Sequence, residues 1–160
     1  MITATPGEVT DYKFILHEIS RCAAKFDLRE VAYDRWGAPA VVQQLDDLGF
    51  EDEKSQWAAR KLIQFGQGYK SFSPPTKELM KLVLEKKIKH GGNPVLRWNA
   101  DNLVVRQDPA GNVKPDKEKS TEKIDGMVAM IMGLDRALRA QTEKSVYELD
   151  GERKGKILTF

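Results

Sequence analysis

Apolar residues recur at two different spacings along the first half of this chain, and each spacing predicts one kind of element. Two short runs of β-branched, aliphatic and aromatic residues, Glu30–Asp34 and Lys61–Phe65, predict strands, the first of them buried. Helical spacing predicts a helix before the first strand and another after Pro39. The apolar stripe of the earlier helix comprises Ile15, Ile19, Cys22 and Phe26. Because a helix separates the two strands, we expect them to run parallel in a right-handed β-α-β unit.

The second half of the chain is predicted to be mainly helical, with one β-hairpin. Residues 66–75 form a polar loop in this interpretation, and a helix then runs from Ser73–Pro74 to the glycines at 91–92. A short helix at residues 93–98 and a hairpin near residues 103–114 follow, and the last helix spans about residues 121–140. The sequence therefore predicts an α/β fold: a small, mainly parallel sheet flanked by helices, with a hairpin.

Length and composition indicate a folded protein that acts in the cytoplasm. The 160 residues suit one domain, here residues 1–145, followed by a weakly patterned tail at residues 146–160. A net charge of +2 neither requires nor excludes a polyanionic partner, so the placement of charge must decide. The single cysteine, Cys22, suits a reducing compartment. No signal peptide or membrane-spanning run is recognisable, so we expect no membrane association.

Asp34 is the first candidate for chemistry, because it ends the first predicted strand and precedes a loop. The carboxyl edge of an open α/β sheet is where ligands and metals commonly bind. The ordinary alternative is an aspartate that serves a turn or caps the next helix.

Asp125 is the second candidate, in the first turn of the last predicted helix. The helix dipole favours an acid there whatever its role. Its helical neighbours Val128, Ala129 and Met132 are apolar, however, and predict that Asp125 faces the core side, where a carboxylate needs a cation. If this helix packs over the end of the first strand, Asp125 approaches Asp34, and two carboxylates could hold Mg²⁺ or Mn²⁺ for phosphodiester cleavage.

The sequence supports other kinds of catalytic site less well than a metal site at Asp34 and Asp125. His17 and His90 have no partner at metal-ligand spacing, and no Ser-His-Asp arrangement can be defended. The glycines at 66 and 68 lack the Lys-Ser/Thr of a nucleotide-binding P-loop. Trp36 and Trp98 could stack on bases, but aromatic residues serve more often in cores.

Four segments in one order, Ala32–Trp36, Gln67–Leu79, His90–Trp98 and Lys117–Gly126, resemble a known family. The chain is similar to the C-terminal nuclease part of the large terminase subunit of tailed bacteriophages. The resemblance implies a ribonuclease H-like fold and a divalent-metal endonuclease that cuts concatemeric double-stranded DNA in the host cytoplasm during packaging. It also implies the portal and the small terminase subunit as partners.

The resemblance assigns metal binding to Asp34 and Asp125, with Mg²⁺ or Mn²⁺ as the cofactor and a metal-activated water as the nucleophile. The family's first acid, on the opening strand of the sheet, has no counterpart here, and the packaging ATPase motif is absent. We therefore expect an incomplete ribonuclease H-like domain. Two hypotheses follow: a metal-dependent nuclease, or an inactive remnant that binds DNA or associates with itself.

Five basic residues are predicted to contact DNA phosphates because they are expected in loops near the sheet edge. They are Lys70, Arg97, Lys117, Lys119 and Lys123. The lysines on the helix after residue 73 are interpreted as an ordinary solvated face.

Overall fold

Two compact units make up the chain in the computed structural model, which describes residues 11–34, 42–45, 61–143 and 158–159. The first unit is Ile2–Gly66, and the second is Gln67–Phe160 together with Met1. No helix among the described residues is long and apolar enough to cross a membrane.

The first unit contains the predicted parallel strand pair. Helix α1 spans Tyr12–Lys25 and begins at Asp11, whose carboxylate accepts a hydrogen bond from the Lys13 amide. Strand β1 (Glu30–Asp34) pairs in parallel with strand β2 (Lys61–Phe65). Residues 42–45 are helical, and the remainder of the predicted second helix lies outside the described residues. The prediction of two parallel strands is confirmed.

The core of this unit is built around Leu45, which is almost fully buried. The partly buried apolar residues packed against it are Leu16, Ile19, Ala23, Val31 and Leu62. The predicted stripe of α1 was wrong at Ile15 and Phe26, which are exposed, because the face that packs on Leu45 is rotated towards Leu16 and Ala23. Strand β1 is half-buried along its whole length, not buried as expected.

The second unit begins with the longer helix α2, Tyr69–Leu84. The prediction of a loop over residues 66–75 and a helix start at Ser73 was wrong, because the helix already begins at Tyr69 and contains Pro74 and Pro75. Each proline removes one backbone hydrogen bond, but this face of the helix is buried through Phe72, Pro75 and Leu79. Burial of these side chains offsets the lost hydrogen bonds.

Helix α2 also ends earlier than predicted. Its last residue is Leu84, and the chain then passes through Lys86, whose φ of 56° is left-handed. Residues expected to continue the helix instead form strand β3, Ile88–Lys89, which pairs in parallel with strand β6, Leu158–Thr159. Two residues of the predicted tail therefore belong to a strand.

The remaining elements follow the predicted order. Helix α3 spans Pro94–Asp101, and strands β4 (Val105–Gln107) and β5 (Val113–Pro115) form the predicted antiparallel hairpin. Helix α4 spans Asp125–Glu143. Within this unit, α2 packs against β5 and α4, and α3 also packs against α4.

The core of the second unit is supplied largely by α4. Ile131 and Leu134 are both 0% exposed, and Ile124, just before the helix, is 2% exposed. Helical spacing of apolar residues in the sequence predicts a buried stripe of Ile124, Val128, Ile131, Leu134 and Leu138 for this helix. The prediction is confirmed at the first four positions, while Leu138 is only half-buried. This buried face fixes the first turn of α4, where Asp125 lies.

Candidate metal and DNA-binding site

Asp34 is the last residue of strand β1, in the first unit. It is half-buried and pairs across the ladder with Phe65, a buried residue of β2. Its place at the carboxyl end of a parallel strand is the one predicted from the sequence. Arg35 and Trp36, the next residues of the motif, lie outside the described residues.

Asp125 is the first residue of α4, in the second unit, and its side chain is 65% exposed. The expectation that it faces the core was wrong. The core-facing residues at this end of the helix are Ile124, Met127 and Val128, whereas Asp125 and Ala129 are exposed. A carboxylate at this position is open to water and to soluble cations.

A lysine already neutralises Asp125. The Nζ atom of Lys117 donates a hydrogen bond to Asp125 Oδ1 at 2.6 Å. This hydrogen bond, with smaller contributions from the positive charges of Lys117 and Lys123, holds the pKa of Asp125 below its usual value. Asp125 therefore stays ionised and offers the hard oxygen ligands that Mg²⁺ and Mn²⁺ prefer.

The segment that carries Lys117 is held by Asp116, whose side chain is only 3% exposed. Asp116 Oδ1 accepts hydrogen bonds from the amides of Glu118 and Lys119, and Oδ2 accepts one from Arg106 Nε at 2.8 Å. Burial alone would raise the pKa of Asp116, but the Arg106 guanidinium and these amides outweigh it and leave the pKa lowered. The turn is thus fixed around an ionised carboxylate.

Ser120 closes the same turn against Val104, the residue before hairpin strand β4. Its amide and its hydroxyl both donate to the Asp116 carbonyl, and its Oγ accepts from the Val104 amide at 3.2 Å. The Asp116 amide in turn donates to the Val104 carbonyl. With both ends tied to residue 104, the turn presents the exposed side chains of Lys117 and Lys119 to solvent.

The first turn of α4 is anchored by Asn99 of α3, which is 4% exposed. Its Oδ1 accepts a hydrogen bond from the Gly126 amide at 2.7 Å, so a side chain satisfies one of the amides that a helix start leaves unpaired. A Cβ at Gly126 would lie 2.9 Å from the same oxygen, so glycine lets the two helices approach here. Asn99 thereby fixes the residue that follows Asp125.

Two glycine-to-alanine substitutions in α4 should therefore have opposite effects. Gly133→Ala has nothing within 4 Å of the new Cβ and should stabilise the protein by about 0.5–1 kcal/mol through helix propensity. Gly126→Ala should destabilise it by about 1 kcal/mol, because the new Cβ pushes away the Asn99 oxygen that accepts the Gly126 hydrogen bond. Urea unfolding measures the free energy of unfolding of each variant. Equal changes in the two variants would contradict the close approach of Gly126 to Asn99.

The five basic residues predicted to contact DNA are all exposed, but not all lie in loops. Lys70 lies in the first turn of α2 and Arg97 in α3, whereas Lys117, Lys119 and Lys123 precede α4. Lys117 and Lys123 border one surface depression of about 310 Å³ together with Asp125. Three of the predicted site residues are thus brought together in the second unit.

The donor groups of the described residues bear on whether a metal could bind here. Within the described ranges, no three His, Cys, Asp or Glu side chains form a group that could hold a metal ion. The Asp125 carboxylate is paired with the Lys117 ammonium, so the described residues around it do not form the set of ligands that holds a divalent ion.

The sequence did not single out Asp116 or Asn99, because nothing local to either residue indicates that its side chain is buried. Residues 114–123 read as one polar, lysine-rich stretch, which hid a buried aspartate followed four residues later by the serine that closes its turn. Asn99 is polar on a short amphipathic helix, and only its burial reveals its contact with α4.

Comparison with known proteins identifies the family to which this arrangement belongs. The family described as "Terminase large subunit, endonuclease domain" matches residues 2–141. This chain belongs to that family. Terminase endonuclease domains depend in general on divalent metal ions.

Two curated proteins are similar to this terminase endonuclease domain. The large terminase subunit of Enterobacteria phage HK97 is 38% identical over 144 residues, which cover 90% of this chain and 27% of the phage protein. Protein YmfN of Escherichia coli K12 is 32% identical over 148 residues, which cover 91% of this chain and 30% of YmfN. The chain thus spans less than a third of the length of either relative.

A solved structure supports the fold. The crystal structure of the HK97 bacteriophage large terminase matches with a TM-score of 0.71 and 39% identity, over 82% of this chain and 26% of that one. The fold is ribonuclease H-like, with helices and small sheets, as the resemblance of the four sequence segments implied.

Proposed function

We propose that this chain is the nuclease portion of a phage DNA-packaging terminase and cuts concatemeric double-stranded DNA in a reaction that requires Mg²⁺ or Mn²⁺. The family match over residues 2–141 is the observation that carries this proposal. The portal and the small terminase subunit are the partners proposed for the complete protein, and the host cytoplasm is the proposed location.

In this proposal Asp34 and Asp125 hold the divalent cations. Both carboxylates are placed by regular structure, one by the end of a parallel strand and the other by the first turn of a helix whose next amide is bound by Asn99. When bound, the cations would activate a water for attack on phosphorus and stabilise the leaving oxygen. The side chains that surround Asp125 contribute the charge that attracts and orients the DNA backbone.

The basic residues act on the phosphates and not on the bases. Lys117 and Lys119 are exposed on a turn whose backbone is held by Asp116 and Ser120, so little conformational freedom of the backbone is lost when DNA binds there. Lys123 is exposed just before α4. Contacts of this kind position the duplex without reading its sequence.

Nicking of supercoiled plasmid tests the catalytic proposal. The 160-residue chain should convert supercoiled DNA to nicked and linear forms with Mn²⁺, and EDTA should stop the reaction. An unchanged rate in EDTA would contradict metal dependence, and no cleavage with either Mn²⁺ or Mg²⁺ would contradict the catalytic proposal for this chain.

The phosphate contacts predict a steep salt dependence of DNA binding. Each contact that is lost should lower the slope of log K against log salt by about 0.9, so Lys119→Met should reduce it by roughly that amount. Lys81→Met is the matched control, because Lys81 is exposed on α2 and pairs with Glu78. Fluorescence anisotropy at several salt concentrations measures both slopes, and equal slopes for Lys119→Met and the parent chain would remove Lys119 from the interface.

One observation favours a second function, binding without cleavage. Asp125 is neutralised by Lys117, and within the described part of the chain it belongs to no group of three or more metal-ligating side chains. An inactive domain that binds DNA or associates with itself would keep the lysines and have no need of the metal. Calorimetry that detects DNA binding but no Mn²⁺ binding would favour this function, and sedimentation would detect self-association.

A further inference from the structure

A surface depression of about 220 Å³ in the second unit is lined in part by the turn around Asp116. Its walls include three basic and two acidic side chains, together with the apolar side chains of Phe72, Pro115 and Val128. A charge beside apolar groups is screened less than a charge in open water. The pairing of the charged side chains therefore decides which ligand the depression can bind.

The two acidic side chains of the depression are both bound by Arg106. The Nε atom of Arg106 donates a hydrogen bond to Asp116 Oδ2 at 2.8 Å, and its Nη2 atom donates one to Glu118 Oε2 at 2.9 Å. The other oxygen of Asp116 accepts from the amides of the turn. Each acid thus already has a cationic partner within the depression.

Lys114 differs from the other two basic residues of the depression, which each pair with a carboxylate. Its Nζ atom lies 3.4 Å from the Gln67 carbonyl oxygen and 5.4 Å from the centre of the Tyr69 ring. These contacts orient the ammonium but do not neutralise it. Among the described residues no carboxylate pairs with Lys114, so this half-buried side chain brings an uncompensated positive charge to the depression.

We propose that the depression binds a phosphate group of the DNA backbone through Lys114, and that the Gln67 carbonyl and the Tyr69 ring position the ammonium for this contact. The inference rests on the proposed function, in that DNA is taken as the ligand, but it requires no metal ion. Lys114 is not one of the five basic residues predicted from the sequence to contact DNA. Its backbone is fixed as the central residue of β5 in the hairpin.

The proposed phosphate site continues the surface of the lysine-bearing turn. Lys117, which is proposed to contact DNA, borders the same depression as Lys114. A duplex carries phosphates at close, regular intervals, so a duplex that lies along the turn brings further phosphates to the depression. An ionised phosphate oxygen accepts a strong, charge-assisted hydrogen bond from an ammonium group.

The test measures the affinity for a short fluorescein-labelled duplex by anisotropy at several salt concentrations, in EDTA so that metal ions play no part. Lys114→Met removes the charge and should lower the slope of log K against log salt by about 0.9. Lys114→Gln should lower it equally, and Lys114→Arg, which keeps the charge, should keep the slope. Lys25→Met is the matched control, because Lys25 also lies over an aromatic ring, 5.5 Å from the centre of Phe26, but in the first unit. Its slope should equal that of the parent chain.

Tyr69 variants test the positioning of the ammonium separately from its charge. Tyr69→Leu should keep the salt slope and weaken DNA binding by about two- to fivefold, because the interaction of the ring with the ammonium is lost. Tyr69→Phe keeps the ring and should bind DNA as the parent chain does. Equal affinities of Tyr69→Leu and the parent chain would overturn the positioning role of the ring.

Failure of this inference is distinguishable from failure of the proposed function. If Lys119→Met lowers the salt slope while Lys114→Met and Lys114→Gln leave it unchanged, the phosphate site at Lys114 is overturned and the other DNA contacts stand. If the DNA affinity of the parent chain itself does not depend on salt, the proposed DNA contacts are overturned, and the site at Lys114 falls with them.

Discussion

Asp125→Asn is expected to reduce Mn²⁺-dependent nicking of plasmid DNA by about two orders of magnitude or more, and Asp34→Asn should do the same. Loss of a residue that only orients a metal ligand typically costs ten- to a hundredfold in affinity or activity, and loss of the ligand itself should cost at least as much. Asparagine keeps the shape of the side chain and removes its charge. The initial rate of loss of supercoiled DNA measures the effect.

Glu85→Gln provides the matched control for Asp125→Asn. Glu85 is a surface carboxylate that accepts a hydrogen bond from a lysine, Lys87, at 2.7 Å, just as Asp125 does from Lys117. It has no part in the proposed site, so its nicking rate should equal that of the parent chain. Nicking that persists in both aspartate variants would exclude the site proposed here.

Leu134→Ala is expected to lower the free energy of unfolding by about 3 kcal/mol. Leu134 is 0% exposed on α4, and truncation there loses the transfer free energy of the removed atoms and leaves a cavity. Leu84→Ala is the control, because Leu84 ends α2 with 74% of its surface exposed and should change stability by less than about 0.5 kcal/mol. Urea unfolding followed by circular dichroism measures both.

The difference between the two leucine variants tests where the core of the second unit lies. Similar losses would contradict the burial of α4. A large loss at Leu134 would also explain why the first turn of α4 keeps its position, since Asp125 begins the helix whose buried face Leu134 anchors.

Much of the fold could be predicted because local pattern and tertiary structure agree. The runs at 30–34 and 61–65 are strands, as predicted, and they pair in parallel. A parallel pair requires a long connecting segment, and residues 35–60 supply it. The turn residues at 108–112 predicted the hairpin, where Asp108 accepts hydrogen bonds from the amide and side chain of Asn112. In such segments the local preference decides the structure.

Helix α2 could not be predicted correctly, because tertiary burial overrides local preference there. Pro74 and Pro75 favour a helix start, yet the helix includes them and buries Phe72 and Pro75 on the face that packs in the second unit. Nothing local to the sequence reveals that this face is covered. Lys70, expected in a loop, consequently lies in a helix.

The places of Asp34 and Asp125 in a strand and a helix could be predicted from the sequence, but the contacts of Asp125 could not. Asp34 and Asp125 were found by their places at the end of a strand and the start of a helix, which spacing alone can indicate. The exposure of Asp125 and its pairing with Lys117 depend on the turn around Asp116, whose hydrogen bonds join residues up to 12 positions apart through Arg106. Periodicity carries no information about such contacts.

Anomalous diffraction from crystals of this chain grown with Mn²⁺ tests the central proposal most directly, because it locates the ions without reference to activity. The proposal predicts manganese peaks about 2.1 Å from carboxylate oxygens of both Asp34 and Asp125. Manganese bound only to other acids, or none at saturating concentration, would contradict it.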